Sequence, residues 1–421
     1  MKHIIIIGGG FAGLNAAKQL GGCSGVSVSV IDRTNHHLFQ PLLYQVAMAG
    51  LSPAEIAYPI RSLLAKYANI RVLLGNVTAV DLDAAEIKTD FGTVTYDYLI
   101  LACGAKHSYF GHEEWEKYAP GLKTLAQATE MRRRVLTAYE LAERETDQAE
   151  RRKLLTFIVV GGGPTGVELA GSLGEISRHT LEKDFNRIDP ATTRVVLIEG
   201  ATRLLPSYDP SLSKRAQRDL EELGVTVWLE RMVTDITPKG VRIGDEFIHA
   251  ATVLWAAGVK PSSINETMEV ERDAYGRIIV EPDLSLKDAR NVFVVGDQAH
   301  ATGRDGLPLP GLAPVAMQQG RHAARQILND LRDKERRPFR YKDKGMMATI
   351  GRKKAVAQIG SWKVHGFTAW LMWLFVHIYY LIGFKNRFFV LYQWAWSYMT
   401  YQKGARLIVN KEWRSFNNED V

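Results

Sequence analysis

Two glycine-rich hexapeptides are the strongest chemical signal in this chain of 421 residues. GGGFAG at residues 8–13 and GGGPTG at residues 161–166 each follow a short apolar run and open a helical pattern. The GxGxxG spacing suits a dinucleotide. The first glycine allows a tight turn, the second lets the backbone approach a pyrophosphate, and the third lets the helix pack on the strand. The diphosphate would then bind the unpaired N–H groups at the helix N-terminus. The six glycines are Gly8, Gly10, Gly13, Gly161, Gly163 and Gly166.

An acidic residue ends the predicted strand that follows each hexapeptide. Asp32 should accept a hydrogen bond from an adenosine ribose hydroxyl, and Glu199 should do so in the second site. Glu199 lies further from Gly161 than the usual interval of about 20 residues, and residues 178–193 account for the extra length. A carboxylate repels a 2′-phosphate and so favours NADH over NADPH, although Arg203 would soften that preference.

The elements around these motifs predict an α/β fold with two Rossmann-like dinucleotide-binding domains. Helical patterns begin at residues 14 and 167, and a charged helix at residues 129–145 connects the two units. A later apolar strand at residues 291–295 runs into Gly296 and Asp297. An acid there can close over the ribityl and phosphate region of a flavin, so we expect FAD in the first site and a nicotinamide in the second. Asp297 would equally suit the N-cap of a helix.

The cysteines and the N-terminus exclude several classes of protein. Cys23 and Cys103 are far apart and neither belongs to a CxxC pair. This argues against a disulfide framework, a thiol–disulfide active site, an iron–sulfur cluster and a structural zinc. The apolar run before Gly8 is four isoleucines, whereas a secretory signal needs about 7–15 apolar residues. We therefore expect no export signal.

The C-terminal part of the chain has a different character. Residues 331–354 contain ten Lys or Arg against three acids, an excess equal to the net charge of +7 of the whole chain. Residues 362–401 contain fifteen aromatics, and residues 369–384 are uncharged. That run is shorter than the roughly 20 residues a spanning helix needs, while Trp and Tyr suit the headgroup region. The pattern predicts a C-terminal amphipathic, membrane-anchoring helix pair, interrupted at residues 385–387. A dimer interface or a core helix is the alternative.

Longer segments resemble the two-dinucleotide-binding flavoprotein superfamily and, more narrowly, the type II NADH:quinone oxidoreductases. The superfamily segments are YDYLILACG at 96–104, IVVGGGPTGVELAG at 158–171 and FVVGDQA at 293–299. The more specific segments are VIDRTNHHLFQPLLYQVA at 30–47, LPGLAPVAMQQG at 309–320 and GFKNRFFVLYQWAWSYMT at 383–400. The resemblance covers nearly the whole chain.

The resemblance implies FAD in the first fold and NADH as a substrate in the second. Val77 would meet the adenine through its backbone, and Ala313 with Asp297 would frame the flavin. The implied FAD-binding residues are Gly8, Gly10, Phe11, Ala12, Gly13, Asp32, Arg33, Val77, Ala102, Gly104, Asp297 and Ala313. The implied NADH-binding residues are Gly161, Gly163, Thr165, Gly166, Glu199 and Gly258.

Glu168 is the catalytic candidate. The pattern places it on the first turn of the second loop's helix, where an acid complements the helix dipole. The resemblance implies instead that Glu168 orients the nicotinamide or relays a proton. The implied quinone-binding residues are Gln318, Gln319, Ile382 and Gly383. We also expect the two aromatic C-terminal segments and residues 41–49 to form a tunnel to the flavin. The family often has Ala-Gln where this chain has Ala313-Pro314, and a polar helix face is the alternative for the two glutamines.

The resemblance predicts a non-proton-pumping, membrane-peripheral NADH:quinone oxidoreductase at the cytoplasmic face of the inner membrane. Its expected partners are a membrane quinone, an anionic lipid surface and a second copy in a homodimer, with no nucleic acid and no metal. A soluble NADH-dependent reductase of a ferredoxin- or rubredoxin-like carrier is one alternative, and a flavin-bearing redox sensor or interaction protein is another. A sulfide:quinone oxidoreductase would need a cysteine pair. The predicted domains are 1–115 and 285–345 for FAD, 116–284 for NADH, and 346–421 for membrane association.

Overall fold

The computed structural model describes residues 1–181, 184–400 and 404–409, and the chain forms two compact units. The first unit contains Met1–Leu38, Ala57–Ser108 and Val259–Lys344. The second contains Phe39–Ile56, Tyr109–Gly258 and the described residues from Gly345 onward. Parts of three predictions lie outside the described residues: Tyr401 of the aromatic segment, residues 182–183 of the stretch 178–193, and residues 401–403 and 410–421 of the membrane-association region.

A five-stranded parallel sheet forms the centre of the first unit. The four isoleucines before Gly8 are buried, as expected for a central parallel strand whose two faces are covered. In spatial order the strands are Val292–Val294, Tyr98–Leu101, Lys2–Ile7, Val26–Asp32 and Ile70–Leu74. The smaller strands are His36–Leu38, Ala57–Pro59, Val77–Asp81, Glu86–Thr89, Gly92–Thr95, Ala105–His107, Val259–Pro261, Ile278–Ile279 and Ala299–His300. The helices are Phe11–Leu20, Ile60–Leu64 and Ala313–Asp330, with short 3-10 turns at Ser263–Thr267 and Gly296–Gln298.

A four-stranded parallel sheet forms the centre of the second unit. In spatial order its strands are Val225–Trp228, Arg194–Ile198, Thr156–Val160 and Thr252–Trp255. The antiparallel strands are Asp235–Thr237, Gly240–Ile243, Glu246–His249, Met346–Gly351, Lys354–Ile359 and Trp362–His365. The α-helices are Leu43–Ala47, Pro53–Ile56, Leu125–Arg144, Gln148–Leu154, Pro164–Glu175, Pro210–Glu222, Gly366–Tyr380 and Phe384–Thr400. Shorter turns are Gln40–Leu42, Glu113–Lys117, Ile176–Thr180 and Pro190–Thr192.

The helices after the glycine loops begin three residues earlier than the apolar pattern predicts. They start at Phe11 and Pro164, so the second half of each hexapeptide is already helical. Gly10 and Gly163 are the N-caps, both in extended conformation. These first turns, FAG and PTG, have no apolar periodicity, so the apolar pattern did not indicate that they are helical.

The two units do not follow the predicted domain ranges. The chain returns to the first unit at Val259 rather than at residue 285, because Val259–Pro261 pairs with Ala105–His107. Phe39–Ile56, early in the chain, belongs to the second unit, where its helix Leu43–Ala47 packs on Pro164–Glu175. The C-terminal region also belongs to the second unit: a Cβ on Gly171 would lie 1.7 Å from the backbone oxygen of Ile350.

Two aromatic helices, Gly366–Tyr380 and Phe384–Thr400, follow the C-terminal hairpin and are called here the aromatic helix pair. Residues 385–387, which end the uncharged run, are helical, and the turn between the two helices lies at 381–383, where Gly383 has φ of +90°. Arg387 instead donates hydrogen bonds to the backbone oxygens of Leu381 and Tyr379. A cation thus satisfies the end of the first helix. In the described ranges, no helix has the length and apolar character needed to cross a bilayer.

Candidate active site

The first glycine loop joins the strand Lys2–Ile7 to the helix Phe11–Leu20 and leaves room for a diphosphate. Gly8 has φ of +101°, and a Cβ there would lie 2.3 Å from the backbone oxygen of Ala102. A Cβ on Gly13 would lie 1.8 Å from the oxygen of Gly8, so only glycine allows this approach. At Gly10, an added Cβ would meet no atom within 4 Å beyond its chain neighbours in the described structure. Open space at a helix N-terminus fits the pyrophosphate of FAD.

Asp32 supports this loop from the end of the neighbouring strand. One carboxylate oxygen accepts a hydrogen bond of 2.6 Å from the backbone N–H of Gly9, and the other accepts from the N–H and hydroxyl of Thr34. A carboxylate has about four acceptor positions, so one remains for a ribose hydroxyl. The backbone oxygen of Asp32 also accepts from the N–H of Gly75, which brings the strand that starts at Val77 close to it. Arg33 is exposed.

A segment from late in the chain completes the first site. An added Cβ on Gly296 would lie 3.7 Å from the Cβ of Ala12, which places Asp297 close to the start of the loop helix. Asp297 is no helix N-cap, since Gly296–Gln298 is a short turn and the helix begins at Ala313. The structure therefore brings the glycine loop, Asp32 and Asp297 together. Ala102 and Gly104 follow the strand beside the loop, and Gly104 has φ of +66°.

The second glycine loop repeats the geometry of the first. Gly161 has φ of +107°, and a Cβ on Gly166 would lie 1.8 Å from the oxygen of Gly161. An added Cβ on Gly163 again meets no atom within 4 Å among the described residues outside its own neighbours. Thr165 is half-buried on the first helical turn, and Gly258 has φ of +68° at the end of the segment after Trp255. This loop also fits a dinucleotide.

Glu199 supports the second loop as Asp32 supports the first. Its carboxylate accepts hydrogen bonds from the backbone N–H groups of Gly162, at 2.5 Å, and Ala201, at 2.7 Å. Arg203 donates to the backbone oxygen of Pro206. The guanidinium is thus bonded to the backbone of its own loop.

Glu168 occupies the fifth position of the helix Pro164–Glu175. The predicted first-turn position was wrong because the helix begins at Pro164, and its first turn contains no acid. Burial raises the pKa of Glu168 well above its usual value, and a hydrogen bond from the backbone N–H of Thr349 opposes this in part. A carboxyl so placed keeps its proton at a higher pH than an exposed glutamate would. Such a group can act as a proton donor, and dipole complementation does not explain it.

Three residues that the sequence did not single out connect the aromatic helix pair with the surroundings of Glu168. Trp394 Nε1 donates to Gln45 Oε1 at 2.7 Å, and Gln45 Nε2 donates to the Tyr44 hydroxyl oxygen at 2.9 Å. Burial and the charge of Glu168 raise the pKa of Tyr44. The bond from Trp394 to Gln45 joins residues 349 positions apart, so neither local spacing nor periodicity could have indicated it.

The four quinone-binding candidates occupy two different settings. Gln318 exchanges two hydrogen bonds of 3.0 Å with the backbone of Lys342. Gln319 is 1% exposed and accepts from the N–H of Gly296. Both side chains thus hold neighbouring backbone in the first unit. Ile382 and Gly383 are half-buried in the turn of the aromatic helix pair, in the second unit.

Comparisons with known proteins agree with this geometry. Residues 2–320 match the family described as pyridine nucleotide-disulphide oxidoreductase, and residues 344–401 match the NDH2 C-terminal domain. A type II NADH:quinone oxidoreductase of Mycobacterium tuberculosis is 45% identical, over 97% of this chain and 90% of that protein. A second type II NADH:quinone oxidoreductase of the same organism is 44% identical, over 97% of this chain and 91% of its own length.

Among solved structures, NDH2 from Plasmodium falciparum in complex with NADH has a TM-score of 0.88 at 20% identity, covering 97% of this chain and all of that chain. At that identity the likeness concerns the fold alone. The expected α/β fold and the expected resemblance are confirmed. The chain belongs to the type II NADH:quinone oxidoreductase family within the pyridine nucleotide-disulphide oxidoreductases.

Proposed function

We propose that this protein oxidises NADH and passes two electrons through a bound FAD to a membrane quinone, without pumping protons. The flavin supplies the redox chemistry when it is bound. The protein binds and orients the flavin and the substrates, and it supplies protons. The two relatives from Mycobacterium tuberculosis are named as NADH:quinone oxidoreductases. The two glycine loops supply two dinucleotide sites, as such a reaction requires.

The residues of the first unit would hold FAD. The N-terminal amides of the helix Phe11–Leu20 bind the diphosphate at the open space beside Gly10, and Asp32 binds a ribose hydroxyl. Asp297 and Ala313 lie at the ends of segments that reach this loop, where the ribityl chain and the flavin ring would follow. In the second unit, Gly163 and Glu199 would hold NADH in the same manner.

Glu168 is the observation that carries the quinone half of the proposal. A quinone that receives two electrons also takes up two protons, and the half-buried carboxyl of Glu168, whose pKa is raised, can supply one. Glu168 belongs to the same unit as the aromatic helix pair, which is the part of the protein suited to a lipid-soluble substrate. The protonated carboxyl donates to a quinone oxygen and is then reprotonated from water.

The aromatic helix pair is the proposed membrane anchor. Its inner side chains, Trp370, Trp373 and Trp394, are buried, whereas many other large apolar side chains face outward. The exposed ones are Phe367, Phe375, Val376, Tyr379, Phe388, Phe389, Leu391, Tyr392, Trp396 and Met399. Apolar surface of this extent on helices with aromatic and basic residues is typical of a protein lying in one leaflet.

The exposed basic residues support an anionic lipid surface as partner. Of the ten cations in 331–354, Arg336 and Lys354 form ion pairs inside their own units, and Arg352 donates to the backbone oxygen of Ser397. The other seven are exposed: Arg332, Lys334, Arg337, Arg340, Lys342, Lys344 and Lys353. Each would contribute about 1 kcal/mol near an anionic leaflet.

The proposed location is the cytoplasmic face of the inner membrane, and the proposed assembly is a homodimer.

Rapid-mixing absorbance of the flavin tests the reaction. The purified protein is reduced anaerobically with NADH and then mixed with a short-tailed quinone in detergent. Fast bleaching by NADH and fast reoxidation by quinone are expected. Fast bleaching with slow reoxidation would contradict the quinone half and favour a soluble reductase, and slow turnover in both steps would favour a redox sensor.

Flotation with vesicles tests the anchor. The protein should float with vesicles that contain anionic lipid, and replacement of the exposed Phe375 and Phe388 by Ser should reduce flotation. The matched control replaces the exposed Phe91 of the first unit by Ser, which should leave flotation unchanged. Equal flotation of all three proteins would contradict the assignment of the helix pair.

Light scattering should give twice the chain mass of 47.1 kDa if the protein is a homodimer.

A further inference from the structure

The hydrogen-bond chain from Trp394 through Gln45 to Tyr44 has a defined direction. An indole N–H can only donate, so Gln45 must present its carbonyl oxygen to Trp394 and its amide nitrogen to Tyr44. This settles the orientation of the amide, which heavy-atom positions often leave ambiguous. The oxygen of the Tyr44 hydroxyl is then the acceptor in its bond with Gln45. The hydrogen of Tyr44 is left to donate elsewhere.

The hydrogen of Tyr44 has no acceptor in the described part of the chain, where Gln45 is the one hydrogen-bond partner of the hydroxyl. Tyr44 is 5% exposed, so bulk water is a poor substitute. Buried donors without a partner cost free energy, and native structures rarely leave them unsatisfied. This site therefore favours a ligand that accepts hydrogen bonds.

A second donor in the same cluster is also unsatisfied. Trp373 is 1% exposed, and its Nε1 has no hydrogen-bond partner in the described residues. Its ring lies 5.3 Å from that of Trp394 and stacks on His377 at 4.2 Å. His377 uses Nδ1 to donate to the backbone oxygen of Trp373. An unsatisfied indole donor among aromatic rings, together with the Tyr44 hydroxyl linked to Trp394 through Gln45, suits a flat ligand with carbonyl oxygens.

The place of Tyr44 relates these donors to Glu168. Leu43–Ala47 packs on the helix that carries Glu168, and the Glu168 carboxylate acts electrostatically on the Tyr44 hydroxyl. We propose that the Tyr44 hydroxyl donates a hydrogen bond to a carbonyl oxygen of the quinone beside Glu168, with its direction set through Gln45 by Trp394. Tyr44 binds the substrate, and Gln45 and Trp394 are positioning residues. The inference rests on the proposed function.

The experiment compares the two half-reactions in Tyr44→Phe. Flavin reduction by NADH should stay within about twofold, while kcat/KM for a short-tailed quinone should fall about tenfold, equal to about 1.4 kcal/mol. Tyr208→Phe is the matched control, because Tyr208 is also buried and is also acted on by the Glu168 charge. Its quinone kinetics should equal those of the wild type. Flavin content and unfolding temperature should be unchanged in both variants.

A double-variant cycle separates positioning from a structural role. Trp394→Phe keeps an aromatic ring but removes the donor, so Gln45 loses its fixed orientation and quinone kcat/KM should fall about threefold, a smaller loss than that of Tyr44→Phe. Combined with Tyr44→Phe, it should add no further loss, because its effect passes through the missing hydroxyl. Losses that multiply would overturn the inference, as would an unchanged quinone kcat/KM in Tyr44→Phe. Failure of the wild type itself with quinone would instead overturn the proposed function.

Discussion

The two loop helices carry different residues at the same position, two places after the last glycine of each hexapeptide. In the first unit this residue is Asn15, which donates to the backbone oxygen of Phe11 and accepts from Arg321. In the second unit it is Glu168, whose pKa is raised by burial. The amide is neutral and satisfied, so it contributes to the fold. The carboxyl has a raised pKa, so the same scaffold position carries a satisfied amide in one unit and a candidate proton donor in the other.

The elements that cover the two helices differ as well. Ala313–Asp330 packs on the first helix at Gly320, where a Cβ would lie 2.0 Å from the oxygen of Ala12. The C-terminal strand Met346–Gly351 packs on the second helix at Gly171. The helix Ala313–Asp330 lies beside the first glycine loop together with Asp297. The strand Met346–Gly351 attaches the aromatic helix pair to the unit that holds Glu168.

The largest expected effect comes from filling the open space in each loop. Gly10→Val should abolish FAD binding, and Gly163→Val should retain FAD but slow flavin reduction by NADH at least about 100-fold, because the side chain takes the pyrophosphate position. Flavin absorbance after purification and rapid mixing with NADH measure the two effects. Loss of FAD from Gly163→Val would reverse the assignment of the two sites.

Glu168→Gln should slow quinone reduction by roughly 100-fold, the usual contribution of a general acid, while NADH reduction of the flavin stays normal. In the wild type the quinone step should slow as the pH rises through the raised pKa of Glu168, because the carboxyl then loses its proton. The variant should lack this decline. Asn15→Ala is the control at the equivalent position, and an equal effect on the quinone step would contradict the comparison.

The same carboxyl should affect stability with a defined sign. Because the folded-state pKa of Glu168 is raised, the unfolded chain ionises first, and the free energy of unfolding falls as the pH rises above the unfolded value. Glu168→Gln should therefore raise the unfolding temperature at pH 8 more than at pH 5. A difference of the opposite sign would show that the carboxyl is stabilised in its charged form.

Glu199→Gln should change the preference between nicotinamide cofactors by about tenfold in kcat/KM, in favour of NADPH, since the charge that repels the 2′-phosphate is removed. Asp32→Asn, in protein that retains FAD, should leave the NADH to NADPH ratio unchanged. Steady-state rates with both cofactors measure this. Equal shifts in the two variants would show that the acids are not specific to their sites.

The smallest expected effects come from the two close helix contacts. Gly320→Ala and Gly171→Ala each force a Cβ against backbone, at a cost of about 1–3 kcal/mol and a few degrees in unfolding temperature. Gly320→Ala should weaken FAD retention, whereas Gly171→Ala should slow quinone reduction. Unchanged unfolding temperatures would mean that Ala313–Asp330 and Met346–Gly351 can move away from the loop helices without a loss of stability.

Local chemistry let the sequence predict the conformation of the two glycine loops. Only glycine tolerates the φ of Gly8 and Gly161, and an acid at the end of the next strand accepts a hydrogen bond from the loop amide in each unit. These requirements fix residue types within one strand–loop–helix–strand unit, so the sequence pattern reveals them. The aromatic segment was predictable for the same reason, because composition alone distinguishes it. The start of each helix was missed because its first turn lacks apolar periodicity.

Only the tertiary structure decided which distant residues meet. Trp394 and Gln45 form their hydrogen bond across the chain, and Thr349 reaches Glu168 because Gly171 lets a C-terminal strand approach its helix. The pKa of Glu168 depends on this burial, which no local pattern encodes. The sequence thus determined that two dinucleotides can bind, because backbone conformation is local. The tertiary structure raised the pKa of Glu168, because burial is a property of packing between distant segments.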